Sequence, residues 1–166
     1  MNILKKFFLF LTFLILFLVQ TTSGELLRIF GAVPNLLLTF TIIYCVNSSV
    51  LSSVLVGAIA GLLTDVSTNA ALGINALLMT YTAVFTSFLS SKILYERKII
   101  ICITVFALSL LYEFASVAIT NFFVNSLPVF YITIRYTLLS CAYNTIVAVP
   151  LVYLINKLKF EYVRGI

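Results

Sequence analysis

From Phe7 to Gln20 the chain reads FFLFLTFLILFLVQ without a charge, and from Ile29 to Thr64 it again carries none. Uncharged runs of this length, one after another, exceed what a single water-soluble core can bury. A bilayer with a hydrocarbon interior of about 30 Å takes them as helices of about 20 residues. Strands do not fit: membrane barrel segments alternate apolar and polar residues over about 10 positions, and Phe7 to Val19 does not alternate. Composition agrees, with 63% hydrophobic and 9% charged residues and a mean hydropathy of +1.20. At 166 residues the chain is one integral-membrane domain, residues 1–166, of the all-α class.

The apolar runs predict about six transmembrane helices in a polytopic bundle, near residues 7–20, 33–46, 50–66, 72–93, 99–124 and 131–156. The second and third are short for a bilayer, so they start or stop in the interface or lie partly inside the bundle. Lys5, Lys6, Lys92, Arg97, Lys98, Lys157, Lys159 and Arg164 fall on one side of such a bundle, and Arg28 and Arg135 on the other. By the positive-inside rule both termini are cytoplasmic, and the loop joining the third and fourth spans is external. Lys5-Lys6, the apolar run behind them and Thr22-Ser23-Gly24 also fit a cleavable signal peptide. Retention is the reading adopted, because another apolar run follows almost at once.

The excess of 10 basic over 5 acidic residues does not point to nucleic acid, since the cations lie in short loops rather than on one folded face. There is no His, and Cys45, Cys102 and Cys141 are isolated in apolar runs, so no metal or cofactor is expected. Catalysis ranks last for the same reason: no nucleophile stands beside a base.

Ser53, Gly57, Gly61 and Asp65 recur every fourth residue and share one face of the third span. Gly57-x-x-x-Gly61 lets another helix approach closely, inside the bundle by preference or in a partner protein. Asp65 closes that face. It is expected to hold an elbow by accepting hydrogen bonds from the turn or from a nearby helix N-terminus, with Gly73 supplying a bend; the rival role is a ligand site. Pro34 suits the start of the second helix and Asn35 its first turn. With Asp65, Asn75 and Arg135, Asn35 is expected to form an outer polar cluster. Glu113 lies deep in the fifth span, where an ionised acid costs roughly 2.5–3.5 kcal/mol, so it should face the bundle, within reach of Asn144. A functional acid and a helix-to-helix bond are equally economical readings of it.

Pro34-Asn-Leu-Leu-Leu38, then Gly57-x-x-x-Gly61-Leu-Leu-Thr-Asp65, then Leu72-Gly-Ile-Asn75, in this order and spacing, resembles the rod shape-determining MreD family. The resemblance is closest from Pro34 to about Tyr81 and continues through Tyr112-Glu113 and Asn144 to Leu158. It implies a non-enzymatic component of the bacterial cytoplasmic membrane that supports cell shape and lateral peptidoglycan synthesis within the elongation machinery. The implied partners, besides membrane lipid, are MreC, the MreB filament, and the glycosyltransferase and transpeptidase of the lateral wall. Bundles of this family also look similar to the substrate-binding subunits of energy-coupling-factor vitamin transporters. The alternative expectation is therefore a subunit that captures a small ligand through Asn35, Asp65, Asn75 or Arg135.

Overall fold

A computed structural model describes the backbone of residues 3–22, 28, 30–46, 48–68, 72–92, 98–124 and 127–160, and the side chains of most of them. Six helices lie among these residues: α1 (Ile3–Thr22), α2 (Leu36–Val46), α3 (Val50–Thr68), α4 (Ile74–Lys92), α5 (Lys98–Val124) and α6 (Leu127–Phe160). Four of them, α1, α3, α5 and α6, are long and apolar enough to cross a membrane. The chain is therefore an integral membrane protein.

The second predicted span is the main departure. Its helix begins at Leu36 rather than Val33 and has 11 residues, about 16 Å at 1.5 Å per residue, half a bilayer. A helix this short survives because protein surrounds it. It touches all five other helices, and every residue except Tyr44 is buried. A helix apolar on every side is what an enclosed position requires. Leu37, Leu38, Ile42 and Ile43 fill the centre, packed by Met79 of α4, Val105 of α5 and Val152 and Ile155 of α6.

α3 and α4 form a tightly packed antiparallel hairpin, and α5 and α6 a second. On α3 the large side chains Leu51, Leu55, Ile59, Leu62 and Val66 point outward, while Ser53, Gly57, Ala60, Gly61 and Thr64 are buried. Lipid is as apolar as leucine, so placing large residues outside costs nothing. Small residues inside bring backbones together. α4 is less apolar than its neighbours, yet Thr80, Thr82 and Thr86 each donate to the carbonyl four residues back, at 2.6–2.8 Å. Those bonds satisfy hydroxyls that lipid leaves unpaired. Ser87 donates to the carbonyl of Ser48 at 2.9 Å and ties the last part of α4 to the turn between α2 and α3.

Candidate functional site

At the Asp65 end of the bundle two helix N-termini open side by side, each with donors that its own turns cannot satisfy. Both are capped by neighbouring helices. At the start of α2, the Asn35 side-chain oxygen accepts the Leu38 N–H at 3.0 Å as an ordinary N-cap. Gln20, two residues from the end of α1, accepts the Leu37 N–H at 3.0 Å. Asn144 of α6 accepts the Asn35 N–H at 2.7 Å. Asn35 is thus the cap of the helix rather than part of its first turn, and Pro34, buried, precedes it. Behind it, Gly31 at φ 87° lies against the Tyr136 ring of α6, and the Ser140 hydroxyl donates to the Val33 carbonyl at 3.3 Å, which fixes the entry into α2.

At the start of α4 the cap position is Gly73, which has no side chain and sits at φ 103°. Asp65, at the end of α3, takes over the capping role. One carboxylate oxygen accepts the N–H of Gly73 at 2.9 Å and of Ala76 at 3.2 Å, and the other accepts that of Asn75 at 3.0 Å. Asp65 is wholly buried. With both oxygens engaged by backbone and no exposed surface, its geometry is that of a turn-holder, at a helix end where a negative charge is favoured.

Between these termini lies a cleft of about 440 Å³. Asn35 and Asn75 line it, with Tyr112 and Glu113 of α5, Gln20 of α1 and hydroxyls from the last turns of α3. The Tyr112 hydroxyl donates to the Asn75 side-chain oxygen at 2.5 Å and so joins α5 to the α4 terminus. Glu113 lines the same cleft and so faces the bundle rather than lipid, as an acid within a span must. The cleft offers amide, hydroxyl and carboxyl groups for hydrogen bonding. Among the described residues no three His, Cys, Asp or Glu side chains converge as metal ligands would.

The structure thus brings Asn35, Asn75 and Glu113 into one cleft and puts Asp65 and Gly73 beneath it as support. Asn144 is engaged with Asn35. The helix backbone carries Arg135 in α6, but its side chain lies outside the described residues. α4 packs on the glycine face: a side chain at Gly57 would meet the Met79 carbonyl and Thr80 Cα, and one at Gly61 the backbone of Asn75 and Ala76. Sequence reading missed Gln20 as a cap. Its signal was a polar residue closing an apolar run, which reads equally well as the emergence of the helix into water.

Asn144→Ala should uncap the Asn35 N–H inside the bundle and lower stability by about 1–3 kcal/mol, the cost of stranding a buried donor. Asn144→Asp, measured at a pH acidic enough to keep its buried carboxyl protonated, retains an acceptor oxygen and should lose less. Unfolding midpoints of the two purified variants in mixed detergent–SDS micelles check the order, and equal midpoints would refute it.

A family model, that of the rod shape-determining protein MreD, matches residues 1–160 of the chain. No curated protein and no solved structure matches it.

Proposed function

Because the chain belongs to the rod shape-determining protein MreD family, we propose that it acts as a non-enzymatic scaffold or regulator of the elongation complex in the bacterial cytoplasmic membrane. The observation that carries this reading is the family match along nearly the whole chain. The architecture suits it: two packed hairpins around a buried short helix form a firm body whose exposed face is a broad apolar surface for other membrane proteins. With the α3–α4 glycine face closed, partner contacts fall to the outward residues outside the α1–α3 groove, among them the stripe Leu51, Leu55 and Leu62. The partners proposed are MreC first, and through the complex the MreB filament and the lateral-wall glycosyltransferase and transpeptidase.

The basic residues set the orientation in this proposal. Lys5, Lys6, Lys157 and Lys159 lie at the cytoplasmic side with both termini, and the Asp65 end with its cleft faces outward, where wall is made. The experiment is depletion in the cell that makes the protein. Cells are expected to round up and to recover their cylinders with the wild type. A Leu55→Trp/Leu62→Trp double variant, altered only on the outward stripe, is expected to reach the membrane but to lose MreC on co-purification and to fail in rescue. Rescue by this variant with MreC retained would rule out the stripe, and unchanged shape on depletion would rule out the function.

A second reading has one observation behind it, the polar cleft of about 440 Å³, within the roughly 300–1,000 Å³ of small-molecule sites. It is the substrate-capture subunit of an energy-coupling-factor-type transporter. Thermal stabilisation of the purified protein by one member of a panel of vitamins would favour it, and a flat response across the panel would remove it.

A further inference from the structure

At the opposite end from the cleft, a second cavity of about 440 Å³ opens sideways between α1 and α3, floored by α2. Its residues are graded in polarity along the bundle axis. Lys6 in the first turns of α1, Ser52 in the first turn of α3 and Tyr44 in the last turn of α2 line one end. Leu9, Phe10 and Phe13 descend from it on α1, Val56 and Ile59 on α3, and Phe40 on the floor. The seven helical rises from Lys6 to Phe13 or from Ser52 to Ile59 cover about 10 Å, some two-thirds of a leaflet whose hydrocarbon half is about 15 Å deep. The aromatic floor is ordered: Phe13 and Phe40 have ring centroids 5.5 Å apart, and Phe40 stacks on Tyr44 at 6.0 Å with rings inclined by 16°.

We propose that this groove is a binding site for one anionic phospholipid of the leaflet at the Lys6 end, its acyl chain on the aromatic floor and its headgroup phosphate at Lys6, Ser52 and Tyr44. The gradient from a cation and two hydroxyls to six hydrocarbon side chains is that of a phospholipid from phosphate to chain. Basic pockets between transmembrane helices hold anionic headgroups for this reason. A partner helix fits the groove less well. A helix is about 10–12 Å across with its side chains, wider than a groove of about 440 Å³ spread over this length accepts, whereas a single acyl chain fits. The site is independent of the cleft and of the role in cell shape.

The test is native mass spectrometry of the full-length protein in detergent, titrated with phosphatidylglycerol or with phosphatidylcholine of the same chains. One phosphatidylglycerol is expected to bind with about fivefold preference, the factor that one basic group near the headgroup plane supplies. Lys6→Gln should erase the preference and leave chain binding, whereas Lys5→Gln, an equal change of charge on the neighbouring residue, should keep it. Val56→Phe, which fills the groove, should weaken both lipids without changing the helix content seen by far-UV circular dichroism. Equal affinity for the two lipids, or the same loss in both lysine variants, overturns the proposal. So does a photo-cross-linker at Val56, inside the groove, that captures a polypeptide instead of a phospholipid in native membranes.

Discussion

Gly61→Ala is expected to be the most damaging single-methyl change in this chain. A methyl group there meets the backbone of Asn75 and Ala76 in the first turn of α4, closer than carbon atoms approach. A side chain in the way could rotate aside; a helix backbone cannot, so α4 must move off α3. Overpacking a fitted interior costs about 1–3 kcal/mol and sometimes more. Here the obstacle is backbone, and roughly 3 kcal/mol or more is expected. Ala gains about 1 kcal/mol over Gly in helix propensity, so a net loss measures packing against that gain.

Gly57→Ala should follow at about 2 kcal/mol, because its nearest obstacles, at 2.8–2.9 Å, include the Met79 carbonyl and Thr80 Cα but also the Ala83 methyl. Gly73→Ala meets nothing within 4 Å and is strained only by its φ of 103°, a cost of about 1–2 kcal/mol. The readout is the unfolding midpoint in mixed detergent–SDS micelles, followed by near-UV circular dichroism of the 9 tyrosines in a chain without tryptophan. The expected order of loss is Gly61, Gly57, Gly73. A Gly61→Ala protein as stable as the wild type would show that α3 and α4 do not pack as described.

The glycine series also marks what the sequence could reveal. The fourfold spacing of Ser53, Gly57, Gly61 and Asp65 is a property of the helix itself, so the face was legible without coordinates. Which helix would cover it was not, since Gly-x-x-x-Gly reads the same for an internal neighbour and a partner. The second span shows the other limit. Leu36–Val46 is apolar enough for lipid, and hydropathy does not distinguish a helix enclosed by protein from one enclosed by lipid. The run from Val33 to Val46 was already short for a bilayer, which left a place partly inside the bundle open; Asn35, capping the helix, shortens it to 11 residues. The polar cluster was half legible. Asn35 and Asn75 lie in one cleft, as residues at matching helix ends should. Asn144 was expected within reach of Glu113 from its depth along two helices; its side-chain oxygen serves the Asn35 N–H, a bond that depth does not reveal, because depth fixes a level in the membrane but not the neighbour a side chain meets.

Asp65→Ala carries the second large effect, and its origin is the missing cap of α4. An ordinary N-cap side chain accepts the N–H two or three residues into its own helix; with Gly73 in that position α4 has none of its own. Asp65 supplies the acceptor from α3 and serves the cap residue's own N–H as well, three bonds of 2.9–3.2 Å in all. Hydrogen bonds to a charged acceptor are worth about 1.5–3 kcal/mol each, and a stranded buried donor about 1–3. Because the three bonds share one carboxylate, they do not add fully, and a loss of about 3–5 kcal/mol is expected on truncation. Asp65→Asn is the informative companion. Its one remaining oxygen, in the place of the atom that serves Gly73 and Ala76, keeps two bonds, while its NH₂ confronts the N–H of Asn75 donor to donor. It should therefore fall between the wild type and Ala, with the first turn of α4 the first part to open. Hydrogen exchange at the Asn75, Ala76 and Leu77 amides reads that opening directly: faster in Asp65→Asn, faster still in Asp65→Ala, and unchanged deeper in α4 at Ala83. Were exchange at those amides the same in all three proteins, Asp65 would not be the cap of α4, and its burial at the end of the glycine face would need a different cause.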